Sequence, residues 1–268
     1  MAPGGAAPAL PALPTFSELA APKHWRCIDF LSDLHMSAAL PRTVAAWEHH
    51  LRETPADAVF MLGDVFEVWV GDDARALPFE HHCVEVMAEA ASRRTLGIMV
   101  GNRDFLLGAQ MLHDCGAMVL PDPTVLSAWG QRVLLSHGDA LCLDDTDYQA
   151  FRREVRSERW QAEFLAKPLD ERLAIAAEIR RQSQLRQNFD GRSDADVDTA
   201  TAVAWMHAMG TAEMVHGHTH RPASQTLAPG FKRHVLSDWD LDDTARPRAE
   251  VLRLTRDGFV RIAPAGLR

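Results

Sequence analysis

Five times along this chain a short, nearly unbroken apolar run ends in a cluster of aspartate, asparagine or histidine. Residues 27–31 lead into Asp33 and His35 (SDLH), 58–62 into Asp64 (GDVFE), and 96–100 into Asn102 (GNRD). Residues 133–135 lead into His137 (SHGD), and 214–215 into His218 and His220 (HGHTH). Short apolar runs without polar alternation are strands buried on both faces, as in the parallel sheets of α/β proteins, and ligands of such sheets gather beyond the carboxyl ends of the strands. The recurrence therefore places every donor on a loop along one rim. Between the runs, apolar residues at three- and four-residue intervals predict helices over 42–52 and 79–93. After Ser237 the pattern shortens and turns strand-like, as in 249–254, so two sheets packed face to face with helices outside are expected.

The segment from Asp147 to about Thr201 departs from this alternation. It is helical in pattern, with Pro168 separating two helices, and 151–192 holds ten Lys/Arg against seven Asp/Glu in a chain of net charge -9. It reads as a cap inserted at about 147–201 into one domain spanning 24–268. Phe151, Val155, Trp160, Phe164 and Leu165 are expected to share one helical stripe about 20 Å long at 1.5 Å per residue. Residues 1–23, with prolines at 3, 8, 11 and 14 and no positive start, read as a flexible Ala/Pro-rich tail and not as a signal peptide. The acidic balance argues against a nucleic-acid partner. Four widely spaced cysteines read as reduced thiols of a cytoplasmic protein. No run approaches the roughly 20 apolar residues that span a bilayer.

Carboxylate and imidazole donors together suit a borderline divalent ion such as Mn²⁺ better than magnesium, which prefers oxygen and water. In an extended strand end, residues i and i+2 point to the same side, so Asp33 and His35 are expected to grip one ion together. Asp64 has two oxygens and can bridge a pair of ions about 3.5–4 Å apart. Asn102 gives a neutral carbonyl oxygen, His137 and His218 suit the second ion, and His220 completes the first. His216, nearest the apolar run, is expected to be structural. Alone, Gly63-Asp64 and Gly101-Asn102 are ordinary turn sequences; together and in order the motifs imply metal-assisted hydrolysis of a phosphoester or pyrophosphate, with Asp64, Asn102, Arg103 and His137 as the catalytic set.

The order D-x-H, G-D, G-N-R-D, H, G-H-x-H resembles the calcineurin-like metallophosphoesterases over about residues 28–222. That resemblance implies a four-layer α/β/β/α metallophosphoesterase sandwich with a dinuclear centre. Many of those proteins carry a histidine after G-N, able to protonate a leaving alkoxide. Here the residue is Arg103, which has no proton to give, and this favours a leaving group that is already stable as an anion, such as a phosphate. The blocks FLSDLHMSAALPRT, LGDVFEVWVGDD, GNRDFLLG, SHGDALCLDDTDYQAFR and HGHTHRPA further resemble the UDP-2,3-diacylglucosamine hydrolases of lipid A biosynthesis, over about 26–240.

This closer resemblance implies two Mn²⁺ per chain and attack of water on the α-phosphate of UDP-2,3-diacylglucosamine. The products are then UMP and 2,3-diacylglucosamine 1-phosphate. It also implies substrate contacts at Asn102, Arg103, Asp145, Ser183 and His218. Where such proteins have asparagine and then lysine in the cap, register gives Gln187, which keeps an amide, and Asp190, which reverses a charge; Arg186 or Arg192 are candidates to replace it. Two acyl chains would suit the apolar stripe, with peripheral contact at the cytoplasmic face of the inner membrane. The competing readings are a broader nucleotide pyrophosphatase or phosphodiesterase of the same fold, and a non-catalytic scaffold.

Overall fold

The computed structural model describes residues 13–190 and 195–267, the side chains of 183–190 excepted. Their strands form two six-stranded sheets. One is ordered β12 (Gly258–Ile262), β11 (Val251–Thr255), β2 (Cys27–Leu31), β3 (Ala58–Leu62), β4 (Thr95–Met99), β5 (Met118–Val119). The other is ordered β1 (Ser17–Ala20), β6 (Thr124–Ala128), β7 (Gln131–Ser136), β8 (Glu213–His216), β10 (Phe231–Val235), β9 (Ala223–Ala228). β2 to β5 run parallel, as do β7, β8 and β10. The carboxyl ends of β2, β3, β4, β7 and β8 are the points from which the five donor loops leave.

Alternation along each strand builds the layers. Ile28, Phe30, Phe60 and Leu62 face Leu126, Leu135 and Val215 between the sheets. The intervening residues Leu31, Val59 and Met61 face outward, into a core shared with Trp47 and Leu51 of α1 (Pro41–Glu53) and Met87 of α2 (Pro78–Ala91). Met111 of α3 (Ala109–Asp114) joins them. α7 (Thr199–Ala208) covers the other sheet, with Ala202, Trp205 and Met206 on Val125, Leu134 and Met214. The expected α/β/β/α sandwich is what these four layers make.

Asp29 interrupts the apolar run of β2 and is fully satisfied. Its carboxylate accepts from Arg253 Nε and Nη2 at 2.7 and 2.8 Å and from Thr54 Oγ1 at 2.6 Å, with His50 Nε2 at 3.2 Å. Burial alone would raise its pKa; Arg253, His50 and Thr54 outweigh that and hold it at about 2. The cluster ties β2 to β11 and α1.

The insert comprises α4 (Thr146–Val155), α5 (Glu158–Leu165) and α6 (Leu169–Asp190), closed at its neck by the Asp198 N–H bond to Leu141 O at 2.8 Å. Pro168 precedes α6, as its missing N–H favours. The continuous stripe is not present. Arg156 caps α4, and Ser157 caps α5 by accepting the Trp160 N–H, so the five residues lie on two helices. Val155 and Phe164 are buried, and Trp160 stacks on Phe164 at 4.7 Å. Of the five, only Phe151 and Leu165 present large apolar surface, at 36% and 43% exposure. The helices pack on the main domain because that buries their apolar faces.

The tail also requires correction. Residues 1–12 lie outside the described residues, but Ser17–Ala20 is a strand, paired in parallel with β6 from Ser17↔Thr124 to Ala20↔Ser127. Leu19 turns into the inter-sheet core, while Glu18 turns out to Arg132 at 2.9 Å. Deleting residues 1–20 exposes β6 and removes Leu19, and is expected to lower the melting temperature by about 2–8 °C, the equivalent of roughly 1–2 kcal/mol in a domain of this size. Scanning calorimetry giving an unchanged value would show that the strand contributes nothing.

Candidate metal centre

Among the described residues six that are not glycine have positive φ, and five of these are donors: Asp33 (53°), His35 (46°), Asp64 (53°), His218 (66°) and His220 (52°). Left-handed backbone costs a side-chain-bearing residue roughly 1–2 kcal/mol, so the surroundings must enforce it. The extended geometry expected for the D-x-H pair is therefore wrong, although its result holds: β2 ends at Leu31, and two left-handed residues bring Asp33 and His35 to one side.

Hydrogen bonds between loops fix these conformations. Asp33 N–H donates to Gly63 O at 3.1 Å and His35 N–H to Asp64 O at 3.0 Å. His218 N–H donates to Asp33 Oδ2 at 2.9 Å, and Gly217 N–H to His137 O at 3.0 Å. Two glycines are required by close approach: a Cβ at Gly63 would run into the His137 ring, and one at Gly101 into the Asp64 carboxylate.

The donor atoms form two adjoining groups. Asp33, His35 and His220 have ligand atoms within 4.8 Å of one another, and so do Asp33, Asp64 and His137. Asp33 is common to both groups, where the sequence pattern makes Asp64 the shared carboxylate. Asn102 Oδ1 lies 3.0 Å from His137 Nε2 and 2.9 Å from His218 Nδ1, which brings both toward the second group. All seven expected ligands thus converge on one rim.

The far ring nitrogens face oxygens, the usual way of orienting metal-binding imidazoles. His137 Nδ1 lies 2.9 Å from Leu62 O, His35 Nδ1 3.4 Å from Glu67 Oε2, and His220 Nδ1 3.8 Å from Asp238 Oδ2. His35 Nε2 and His220 Nε2 face each other at 3.2 Å. Only one of two such nitrogens can donate to the other, whereas both lone pairs can bind a cation, so the donor set fits divalent metal. His216 is buried with Nδ1 on Gly217 O at 2.9 Å.

The field in the site points the same way. Burial opposes ionisation of Asp33, but His220, His137 and His35 hold its carboxyl far below the usual range. Burial also opposes a charged His137, yet Asp64, Asp33 and Asp139 raise it to about 9. His218 is pushed down to about 4 by burial and then by the charge of His137. A field that keeps a buried imidazole cationic attracts metal ions strongly.

The proposed substrate residues are more dispersed. Arg103 donates its backbone N–H to Asp64 Oδ1 at 2.8 Å; its Nη1 lies 3.4 Å from Glu67 Oε1 and its Nε 4.0 Å from Asp64 Oδ2. Asp145 is the N-cap of α4, accepting from Tyr148 N–H at 3.0 Å. The side chains of Ser183, Arg186, Gln187 and Asp190, and all of Arg192, lie outside the described residues.

Three carboxylates support the donor loops, and of these Asp104 and Glu67 were foreseen only as structural partners of Arg103. Asp104 accepts the N–H groups of Gly101 and Val65 at 2.7 and 2.8 Å, joining two donor loops, and burial followed by Asp64 raises it to about 6. Glu67 meets Arg103, His35 and, from α6, Arg180. Asp139 anchors α4. Asp104 and Glu67 were visible inside GNRD and GDVFE, but their partners are set only by folding.

Comparison with known proteins shows the family. The calcineurin-like phosphoesterase family matches residues 28–222. A UDP-2,3-diacylglucosamine hydrolase of Ralstonia nicotianae is 45% identical over 247 residues, covering 88% of this chain and 91% of that protein. One from Chromobacterium violaceum is 44% identical over 220 residues, covering 79% and 90%. The solved structure of vacuolar protein sorting 29 from Cryptosporidium parvum is 14% identical, with a TM-score of 0.46 over 88% of this chain and 89% of that one. Identity of more than two-fifths over most of the chain and of both relatives, with the family match across 28–222, places the chain among the calcineurin-like phosphoesterases, as a metal-dependent hydrolase of the UDP-2,3-diacylglucosamine hydrolase family.

Proposed function

We propose that the protein hydrolyses the pyrophosphate bond of UDP-2,3-diacylglucosamine in lipid A biosynthesis, giving UMP and 2,3-diacylglucosamine 1-phosphate. The observation that carries this reading is Arg103, fixed by its backbone on Asp64 with its guanidinium beside Asp64 and Glu67. A guanidinium has no proton to give a leaving alkoxide, but it stabilises a leaving phosphate by a bidentate grip. Names of the relatives supply the particular substrate.

In this reading Asp33, His35, Asp64 and His220 hold one Mn²⁺, and Asp64, Asn102, His137 and His218 the other. Two such ions, when bound, supply Lewis-acid activation of water and neutralise phosphate charge. Asn102 completes its set without adding negative charge next to an anionic substrate. Water attacks the α-phosphorus, the bond to the bridging oxygen breaks, and the sugar 1-phosphate departs with that oxygen. Asn102, Arg103, Asp145, Ser183, Gln187 and His218 contact the substrate. The cap, over about 147–201, offers Phe151 and Leu165 to acyl chains at the cytoplasmic face of the inner membrane, a peripheral association; no described helix is long and apolar enough to cross a bilayer.

A second reading, a broader nucleotide pyrophosphatase, gains from the burial of Val155 and Phe164, which leaves less apolar surface for acyl chains than the sequence pattern suggests. Turnover of UDP-N-acetylglucosamine as fast as that of the diacylated substrate would favour it.

Hydrolysis of UDP-2,3-diacylglucosamine in ¹⁸O water is expected to put the label in UMP; label in the sugar phosphate places the attack on the other phosphorus. Asp64→Ala and His137→Ala are each expected to lower kcat on the order of 10³-fold or more, because each deletes a ligand from a centre that contributes several kcal/mol to the transition state. Near-normal rates in either variant would remove these residues from the site. Flotation with anionic liposomes should carry the protein upward, and Phe151→Asp with Leu165→Asp should abolish this; recovery of the parent only at the bottom of the gradient refutes the membrane contact.

A further inference from the structure

Asp139 is wholly buried two residues beyond His137, and the side chains that reach its carboxylate come from a single helix. Its Oδ2 accepts from Tyr148 Oη at 2.6 Å and Arg152 Nε at 2.8 Å, with Arg156 Nη2 at 3.5 Å. Its backbone carbonyl accepts from Gln149 Nε2 at 2.7 Å. Tyr148, Gln149 and Arg152 on α4, with its C-cap Arg156, follow i, i+1, i+4, i+8 spacing and so share one face. Burial opposes ionisation of Asp139, but His137, Arg152 and Arg156 hold it well below the usual carboxylate range.

The same face reaches two further donor loops. Arg156 Nη2 donates to Gly101 O at 2.8 Å, and its guanidinium stands 5.5 Å above the Phe105 ring. The Tyr148 ring lies against His218, with centroids 5.8 Å apart. α4 therefore grips the SHGD, GNRD and HGHTH loops at the places that carry His137, Asn102 and His218. The other donors are held differently. Asp33 and His35 hang on Gly63 and Asp64 carbonyls, and His220 on Asp33 and Asp238. Among the described residues α4 supplies none of those bonds, and the cap approaches His35 only through Arg180 of α6 on Glu67.

We propose that α4 is a clasp which sets the affinity of one of the two cation positions, with Tyr148, Asp139 and Arg156 as positioning residues for Asn102, His137 and His218. The proposal rests on the two-cation reading of the site. Coupling of this kind is reciprocal, so a cation at that position also holds the cap against the main domain. An apolar substrate enclosed by the cap is thereby admitted to a centre whose metal occupancy depends on the same helix.

The test is calorimetric titration of MnCl₂ into the chelator-stripped full chain and into Tyr148→Phe and Asp139→Asn, with hydrogen exchange of α4 measured with and without Mn²⁺. The parent should bind two ions and show slower exchange in α4 when loaded. Both variants should bind one ion as the parent does and the other about 10–100-fold more weakly, the usual cost of losing a partner that orients a ligand, and lose the metal-dependent protection. Tyr148→Phe deletes one hydroxyl and keeps the ring, so it decides the matter if Asp139→Asn does not fold. Two unchanged affinities, or equal weakening of both, would overturn the clasp. A parent that binds no cation overturns instead the two-cation reading beneath it.

Discussion

The carboxylate of Asp33 is where the two sheets are joined at the catalytic rim. Its residue follows β2 of one sheet, its Oδ2 accepts the N–H of His218 beyond β8 of the other, and its backbone carbonyl accepts the N–H of Trp239 at 3.1 Å. Packing between sheets through Phe30, Phe60, Leu135 and Val215 brings the edges close but has no direction of its own. Direction comes from this buried acceptor, which must remain ionised to hold its donors. The histidines around it keep it so. The group that fastens the sheets is thus also a candidate metal ligand, and the rim cannot be rearranged without disturbing the donor cluster.

Strain is concentrated at the same place. Five donors in left-handed backbone would together cost several kcal/mol, which a chain of marginal stability does not carry without compensation. The compensation is local: each of these loops is bonded to a neighbouring donor loop, and Asp104 receives one N–H from the GDVFE loop and another from the GNRD loop. Left-handed residues turn the chain sharply after β2, β3 and β8, which lets a donor point back across the sheet ends when an extended continuation would carry it away. The geometry that looked like a strand-end alternation in the sequence is instead a set of interlocked turns.

What was legible in the sequence follows from how local each signal is. β2 and β3 were readable because their apolar runs are bounded by polar residues within one or two positions, and α1 and α2 because their periodicity spans three turns. β1 was hidden: Ser17-Glu18-Leu19-Ala20 is too short to stand out after an Ala/Pro-rich stretch, and its pairing with β6 is over a hundred residues away. The candidate ligand residues, which the fold brings together, stood out because chemistry restricts their types. Their supports did not, since an aspartate such as Asp139 looks the same in sequence whether it faces water or two arginines and a tyrosine. The apolar stripe misled for a related reason, because periodicity reports a face but not whether protein or lipid covers it, and the break at Ser157 needs only one capping hydroxyl.

The basic balance of the cap acquires a different meaning once its partners are known. Arg152 and Arg156 are directed to Asp139, Arg172 to Asp73 and the Val70 carbonyl, and Arg180 to Glu67. All three acids belong to the main domain. Much of the positive charge that set the insert apart in composition therefore serves docking and not an outer surface. Buried or half-buried pairs of this kind are weak sources of net stability but strongly penalise misplacement, because a separated partner is left charged and desolvated. A cap fastened by charge to acids of the main domain is held in register with the candidate metal centre.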